Sequence, residues 1–408
     1  MEAGLPSLRQ IETIVEFIST ISSAFQSLMI NKMADPATRQ QEASASSIVL
    51  GNHVPALDGV RGIAILLVLF FHFPAPFVWL RPLTTIGWCG VDLFFVLSGY
   101  LITGILYSSA NKSHYFRNFY VRRSLRIFPL YYGFLVLTLL ILPKFVNHYW
   151  LGLETLQGRI PEYFLYYTNY ANVFVGWSPA SLGAFWSLAV EEHFYLFWPM
   201  FIKVTPKNKL LVWCTIIVFL ALFGRLAIAA FKMTWLAAYF LTTSRVDSLV
   251  VGAVTAILVR QYPDWPKRWM RSIGSTMLVI LLGVTIWRGG LNYNDWPMRT
   301  FGYTILAFLF ASVVWLAGNT RGRASHFLGN PILETFGKYS YCLYVFHMLV
   351  LIVCERWLGP RLFPLVGWSG NAPLPLFAVS MTASFVIAYL SWRLYESPFL
   401  SLKARFSS

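Results

Sequence analysis

Residues 62–80 read GIAILLVLFFHFPAPFVWL, an apolar run broken by one ionisable side chain, His72. At 1.5 Å per residue such a run is long enough to cross a hydrocarbon core of about 30 Å. The same pattern recurs at 86–107, 128–146, 183–202, 210–231, 235–259, 272–288, 299–317, 339–356 and 374–392. Ten spans predict an all-α, polytopic membrane protein.

Composition agrees. Of 408 residues, 57% are hydrophobic and 12% charged, against roughly 45–50% and 25% in a soluble domain. A further 17% aromatic content leaves more apolar surface than one water-facing core can hide. The expected solvent is the lipid bilayer. The net charge of +15 is of the size that suggests either nucleic acid or a membrane surface. The basic residues lie in short runs between apolar stretches and not on one face with interleaved aromatics, so nucleic acid is not an expected partner.

Those runs test the span count, because cytoplasmic loops should hold the Lys and Arg. With both termini cytoplasmic, 22 of the 32 basic residues fall inside and 8 outside, while Arg225 and Arg245 fall within spans. A count of nine or eleven would scramble the asymmetry. Residues 56–400 are thus read as one transmembrane domain, followed by a cytoplasmic tail at 401–408.

Residues 1–55 differ. Ile11, Ile14, Val15, Ile18, Phe25, Leu28 and Met29 recur at helical spacing before a polar stretch, so this extension is expected to be an interfacial amphipathic helix or disordered, with Met29 and Met33 as alternative starts. It lacks the basic start, continuous apolar core and cleavage site of a signal peptide. The long outer loop 147–182 is rich in aromatics and is expected to form a lid, an interfacial half-helix or an aromatic belt. The four cysteines, Cys89, Cys214, Cys342 and Cys354, have no metal-ligand spacing and read as buried free thiols, with a Cys89–Cys354 bridge as the alternative.

Ionisable groups inside spans cost at least about 2.5–3.5 kcal/mol each, so they are candidate functional residues or halves of structural pairs. They are His72, Asp92, Glu191, Glu192, His193, Arg225, Arg245, Asp247 and His347. Counted from the outer span ends, His72 and Glu191 lie about 12 Å deep, Asp92 about 9 Å and Arg245 about 15 Å. One shared depth band is expected, with His72 and Asp92 meeting across a hairpin. A histidine at that depth beside carboxylates suits general-base catalysis. His193 and His347 are expected to be interhelical hydrogen-bonding residues. The run Arg117, Arg122, Arg123, Arg126 is either a topological anchor or a site for a phosphorylated ligand.

Several blocks together resemble the integral-membrane acyltransferase-3 family. They are LDGVRGIA (57–64) with His72 separated from Arg61 by ten residues, GVDLFFVLSGY (90–100), Arg123 and Arg126 as R-x-x-R, FWSLAVEEHFY (185–195), SYCLYVFH (340–347) and Glu396-Ser397-Pro398. The resemblance implies a membrane enzyme of the bacterial O-acyltransferase type, in the inner membrane and in its stand-alone form. It would move an acyl group, commonly acetyl, from cytoplasmic acyl-CoA to a hydroxyl of a glycan or other small acceptor. By that likeness His72 is the catalytic histidine, while Arg61, Arg123 and Arg126 belong to the donor side. No permanently bound cofactor or metal is implied, since acyl-CoA is a substrate.

The mechanism expected from these residues has His72 as general base, with Asp92 or Glu191 orienting its ring and Ser98 and Tyr100 donating to the oxyanion. Glu192 and Arg245 act in support. An acyl-histidine intermediate is the alternative chemistry. A proton-coupled transporter is the competing function; it predicts inverted repeats, and no clear repeat is visible. The acceptor, the acyl length and the oligomeric state are not legible in the sequence.

Overall fold

The computed structural model describes residues 54–77, 80–156, 158–318, 323–362, 364 and 373–406. Apart from its last two positions, the expected extension at 1–55 lies outside the described residues. Among the described residues there is helix and no strand. Ten helices are long: α1 (Pro55–His72), α2 (Gly90–Ser109), α3 (Tyr115–Leu135), α4 (Phe185–Val204), α5 (Leu210–Ala230), α6 (Thr242–Gln261), α7 (Asp264–Arg288), α8 (Tyr303–Gly318), α9 (Pro331–Val353) and α10 (Pro373–Ser391). Nine of these, with the short turns that extend them, are long and apolar enough to cross a membrane. The tenth, α4, has the length but carries Glu191, Glu192, His193 and Lys203.

Two boundaries differ from the predicted spans in ways that matter for the site. The first span was expected over 62–80, but α1 starts with Pro55 in its first turn and stops at His72. Proline suits a helix start, whereas Pro74 and Pro76 cannot continue one. His72 is therefore the last residue of α1 and not a mid-span residue. The third span was expected from 128, but α3 starts at Tyr115. The arginines read as a loop are helical, and Arg123 and Arg126, three apart, share a face.

The core consists of helices that cross at backbone distance. A Cβ at Gly62 would overlap the backbone carbonyl of Leu333, and one at Gly99 that of Leu249. Without a hydrophobic force between helices in lipid, such close approach supplies the packing. It holds α1 against α9 and α2 against α6. Burial follows: 78% of the apolar window of α2 is buried, against 11% for α7. The rim helices carry outward-facing apolar side chains such as Phe219, Phe223, Val279 and Ile286, as a bilayer solvent requires.

The loop 147–182 is pinned to the bundle. It forms short helices at His148–Leu151, Ile160–Phe164 and Thr168–Phe174. The Tyr131 hydroxyl of α3 donates to the Tyr163 carbonyl at 2.7 Å, and Asn169 Nδ2 donates to Thr242 Oγ1 at 2.9 Å. Its aromatics divide, with Tyr163 and Tyr166 buried and Tyr149, Tyr167 and Trp177 exposed. All four cysteines are buried and free.

Candidate active site

Between α1, α2, α3, α4 and α9 lies a cavity of about 110 Å³. Arg61, Arg123 and Arg126 line it together with Ser98, Glu191, Glu192, Tyr195, Ser187, Ser340, Tyr341 and Tyr344. Three guanidinium groups from two helices thus meet two carboxylates from a third. Arg126 is exposed at the mouth, while Arg61 is ion-paired with Asp58 one turn earlier. The Arg123 guanidinium lies 5.4 Å from the centre of the Tyr195 ring. Tyr195 in turn shares a 2.5 Å hydrogen bond with Ser98 Oγ.

The far wall is closed by hydroxyls. The Tyr344 hydroxyl bonds Ser187 Oγ at 2.5 Å and donates to the Ala184 carbonyl at 3.0 Å. Its ring lies 6.0 Å from that of Phe94, which lines the cavity, and 5.7 Å from that of His347. Tyr344 therefore stands between the cavity and a pair of histidines. The rings of His347 and His72 are 4.9 Å apart. His72 Nδ1 is 2.9 Å from the Val68 carbonyl, and His347 Nδ1 is 2.8 Å from that of Tyr344. A carbonyl only accepts, so each Nδ1 carries the hydrogen and each neutral ring keeps its lone pair on Nε2.

Arg61 and His72 are eleven residues apart on α1, close to three full turns, so they project from one face about 16 Å apart. On α9, Ser340, Tyr344 and His347 recur at helical spacing along one stripe. The two stripes run from the arginines to the histidines.

The expected meeting of His72 and Asp92 across the hairpin is not found. The chain after α1 folds back through Arg81–Ile86 and Gly87–Cys89, so that Gly90 sits against Ala64 and Val68, one to two turns before His72. Asp92, farther along the antiparallel α2, moves away from His72 and cannot orient it. Its Oδ1 instead accepts from Arg245 Nη2 at 2.7 Å, with both side chains fully buried. Arg245 also stacks 3.8 Å over the Tyr303 ring. A second buried pair joins Asp247 to Arg225 at 2.8 Å, with Thr304 Oγ1 donating to the same carboxylate.

The remaining candidates separate likewise. Glu191 and Glu192 face the arginine cavity, and neither is bonded to His72. Ser98 lines the cavity, whereas Tyr100, two residues on, projects elsewhere and is buried against Gly318. The two do not form a joint oxyanion site. His193 makes the expected interhelical bond, Nδ1 to Thr242 Oγ1 at 2.8 Å. His347 does not, because its Nδ1 is spent on its own helix and its buried Nε2 has no partner. Sequence reasoning set His347 aside; its i, i+4, i+7 spacing with Ser340 and Tyr344 was the available signal.

Comparison with known proteins bears on the whole bundle. The protein named putative O-acetyltransferase in Staphylococcus aureus strain COL is 28% identical over 377 residues, covering 85% of this chain and 57% of its own length. Peptidoglycan O-acetyltransferase OatA of Listeria monocytogenes is 27% identical, covering 85% of this chain and 56% of its own. O-acetyltransferase OatA of Staphylococcus aureus strain NCTC 8325 is 25% identical, covering 85% and 57%. The chain thus spans little more than half the length of the curated relatives it matches. No solved structure matches. The acyltransferase-domain family matches residues 54–393, which takes in every helix from α1 to α10, and on that match the chain belongs to the acyltransferase-3 family.

Proposed function

We propose that the protein is a membrane O-acyltransferase that takes an acyl group, acetyl in the simplest case, from acyl-CoA and delivers it to a hydroxyl of a glycan or related acceptor. The observation that carries this reading is the common cavity of Arg61, Arg123 and Arg126, three turns of α1 from His72. Guanidinium groups bind phosphate oxygens bidentately, so the phosphates of the donor bind at that end and its acyl arm extends along α1. By the charge asymmetry of the loops, that end is cytoplasmic in a bacterial inner membrane, with both termini on the same side. His72 Nε2 takes the proton of the acceptor hydroxyl as its oxygen attacks the thioester carbonyl, and the proton passes to the departing thiolate.

Glycan acceptors are supported by the printed name of the Listeria relative, a peptidoglycan O-acetyltransferase. The test is acetyl-CoA turnover by membranes holding matched amounts of wild type, His72→Ala and Arg126→Ala, with a panel of glycan acceptors and products read by mass spectrometry. Product from wild type, its loss in His72→Ala and a raised KM for acetyl-CoA in Arg126→Ala are expected. Full activity of His72→Ala would overturn the base assignment, and no acetylated product from any acceptor would overturn the function.

A further inference from the structure

Between α9 and the end of α10 lies a second cleft, of about 400 Å³. Lys338 of α9 and Arg393, two residues past α10, line it with Tyr339, Tyr389, Trp392 and Ser397. It stands at the Arg61 end of the bundle, since Gly337 lies against the Asp58 carbonyl of α1. Lys338, Arg393 and Ser397 are exposed, so the cleft opens outward. Each cation rests on rings and not on a carboxylate. Lys338 Nζ lies 5.1 Å from the centre of the Trp392 ring and 5.3 Å from that of Tyr339, and the Arg393 guanidinium lies 5.4 Å from that of Tyr389. Two carboxylates are near in sequence, and among the described residues neither pairs with these cations. Glu396 is buried and accepts from Ser391 Oγ at 3.0 Å, while Glu334, four residues before Lys338, forms no ion pair.

An apolar stripe continues the cleft along α10. Val386, Leu390 and Leu394 are exposed and recur every four residues, on the face that also presents Tyr389 and Arg393. In a bilayer such a stripe meets acyl chains, and its end, where Arg393 stands, meets headgroups. We propose that this cleft binds an anionic phospholipid, with Arg393 and Lys338 on its phosphate and an acyl chain along Val386, Leu390 and Leu394. The guanidinium bonds two phosphate oxygens and the ammonium adds a point charge; basic pockets between membrane helices take anionic headgroups in this way. A zwitterionic lipid would bring a third cation to a cleft that already holds two, and a soluble phosphate would leave the stripe uncovered. The lipid bridges α9, which carries Tyr344 and His347, to α10, a rim helix whose apolar window is only 28% buried. Its binding therefore holds the two helices together.

Full-length protein in detergent is titrated with dioleoylphosphatidylglycerol, dioleoylphosphatidylcholine or inorganic phosphate. Bound lipid is counted by native mass spectrometry, and stability is followed by loss of the monodisperse peak on heating. Each cation near an anionic headgroup is worth about fivefold in affinity. The midpoint for the first phosphatidylglycerol is thus expected to rise about 25-fold in Lys338→Gln combined with Arg393→Gln. It should not move in Lys267→Gln combined with Arg268→Gln, which removes two exposed cations from α7. Phosphatidylglycerol should raise the heating midpoint of the wild type, and phosphatidylcholine and phosphate should not. Equal midpoints in wild type and the cleft variant, equal loss in the α7 variant, or equal stabilisation by phosphatidylcholine or phosphate would each overturn the proposal. A photo-crosslinkable phosphatidylglycerol tests the wild type without any substitution: peptides holding Lys338 or Arg393 should carry the label, and label confined to other peptides would equally refute the site.

Discussion

The Asp92–Arg245 pair decides whether a carboxylate expected to serve catalysis serves the fold. Both side chains are fully buried, with Nη2 and Oδ1 2.7 Å apart, and Ser248 Oγ reaches the same oxygen at 3.4 Å. Removing either partner leaves an uncompensated charge, which costs about 3–5 kcal/mol. Arg245→Met also forfeits the cation–π contact with Tyr303, worth about 2 kcal/mol when desolvated, and so belongs at the upper end. Replacing both partners with apolar side chains of similar size removes the charges together, and such replacements range from neutral to stabilising. Asp92→Leu combined with Arg245→Met is therefore expected to be more stable than either single variant, with a coupling energy of about 6 kcal/mol or more in the cycle when the double variant is near neutral.

The assay is loss of the monodisperse peak on heating in detergent, followed with a fluorescent fusion, for the four members of the cycle, each also tested for acetyl-CoA turnover. The single variants should lose the peak well below wild type and the double variant should recover it. If the pair is structural, the double variant also recovers turnover to within about tenfold, a gap of 1.4 kcal/mol in barrier. Wild-type stability in the single variants, or a stable double variant without turnover, would refute the structural role and return Asp92 to the chemistry.

Other consequences follow from the same geometry. Arg123→Ala should raise the KM for acetyl-CoA by roughly tenfold or more, with kcat less affected, because a charge-assisted hydrogen bond is worth about 1.5–3 kcal/mol; an unchanged KM in initial-rate kinetics would remove Arg123 from the donor side. Gly99→Leu should yield no monodisperse protein in size-exclusion chromatography, since even a Cβ there overlaps the Leu249 carbonyl. Tyr344→Phe should destabilise by about 1 kcal/mol in the heating assay, the worth of one neutral hydrogen bond, because the Ser187 hydroxyl, 3.1 Å from the Ala184 carbonyl, turns to donate there once Tyr344 no longer accepts from it. The four buried cysteines should resist maleimide in the folded protein and react in SDS, as mass spectrometry of the labelled chain would show.

The fold was legible because lipid leaves few alternatives: ten apolar runs, each long enough to span, have no other use for their backbone polar groups than helix. Their ends were less so. Hydropathy cannot separate an apolar helix from the apolar proline-containing segment that follows, and this displaced the end of α1 from Leu80 to His72. The arginines of α3 read as a loop because charge was taken to end a span, although a helix continues past the membrane surface at no backbone cost. The site failed at pairing. Depth along a span is a one-dimensional coordinate, so Asp92, Glu191, Arg245 and His72 appeared as neighbours when they belong to three separate clusters. Which face each residue presents depends on where neighbouring helices cross, and those crossings are set by glycines such as Gly62 and Gly99.

This partition gives the buried charges two different tasks. Arg225 with Asp247 joins α5 to α6, and Asp92 with Arg245 joins α2 to α6, as buried ion pairs that pin the helix arrangement, although Asp92 Oδ2, Arg245 Nε and Arg245 Nη1 have no hydrogen-bond partner of their own. Arg61, Arg123 and Arg126 remain open to a cavity, and among the described residues the His347 Nε2 remains without a partner. Arg61 and His72 mark the two ends of one stripe of α1, with the arginines of α3 beside the first and His347 of α9 beside the second. A donor whose phosphates sit on the arginines and whose reactive carbonyl must reach His72 has to thread past Tyr344, which separates the cavity from the histidines. The reach of about 16 Å along α1 then becomes a constraint on the donor: a truncated thioester lacking the phosphates should lose its binding at the arginines, whereas a phosphorylated analogue with a shortened arm should bind and not react. Competition kinetics with those two analogues would separate phosphate recognition from delivery of the acyl group, and equal turnover of the short-armed analogue and acetyl-CoA would break the link between the two ends of α1.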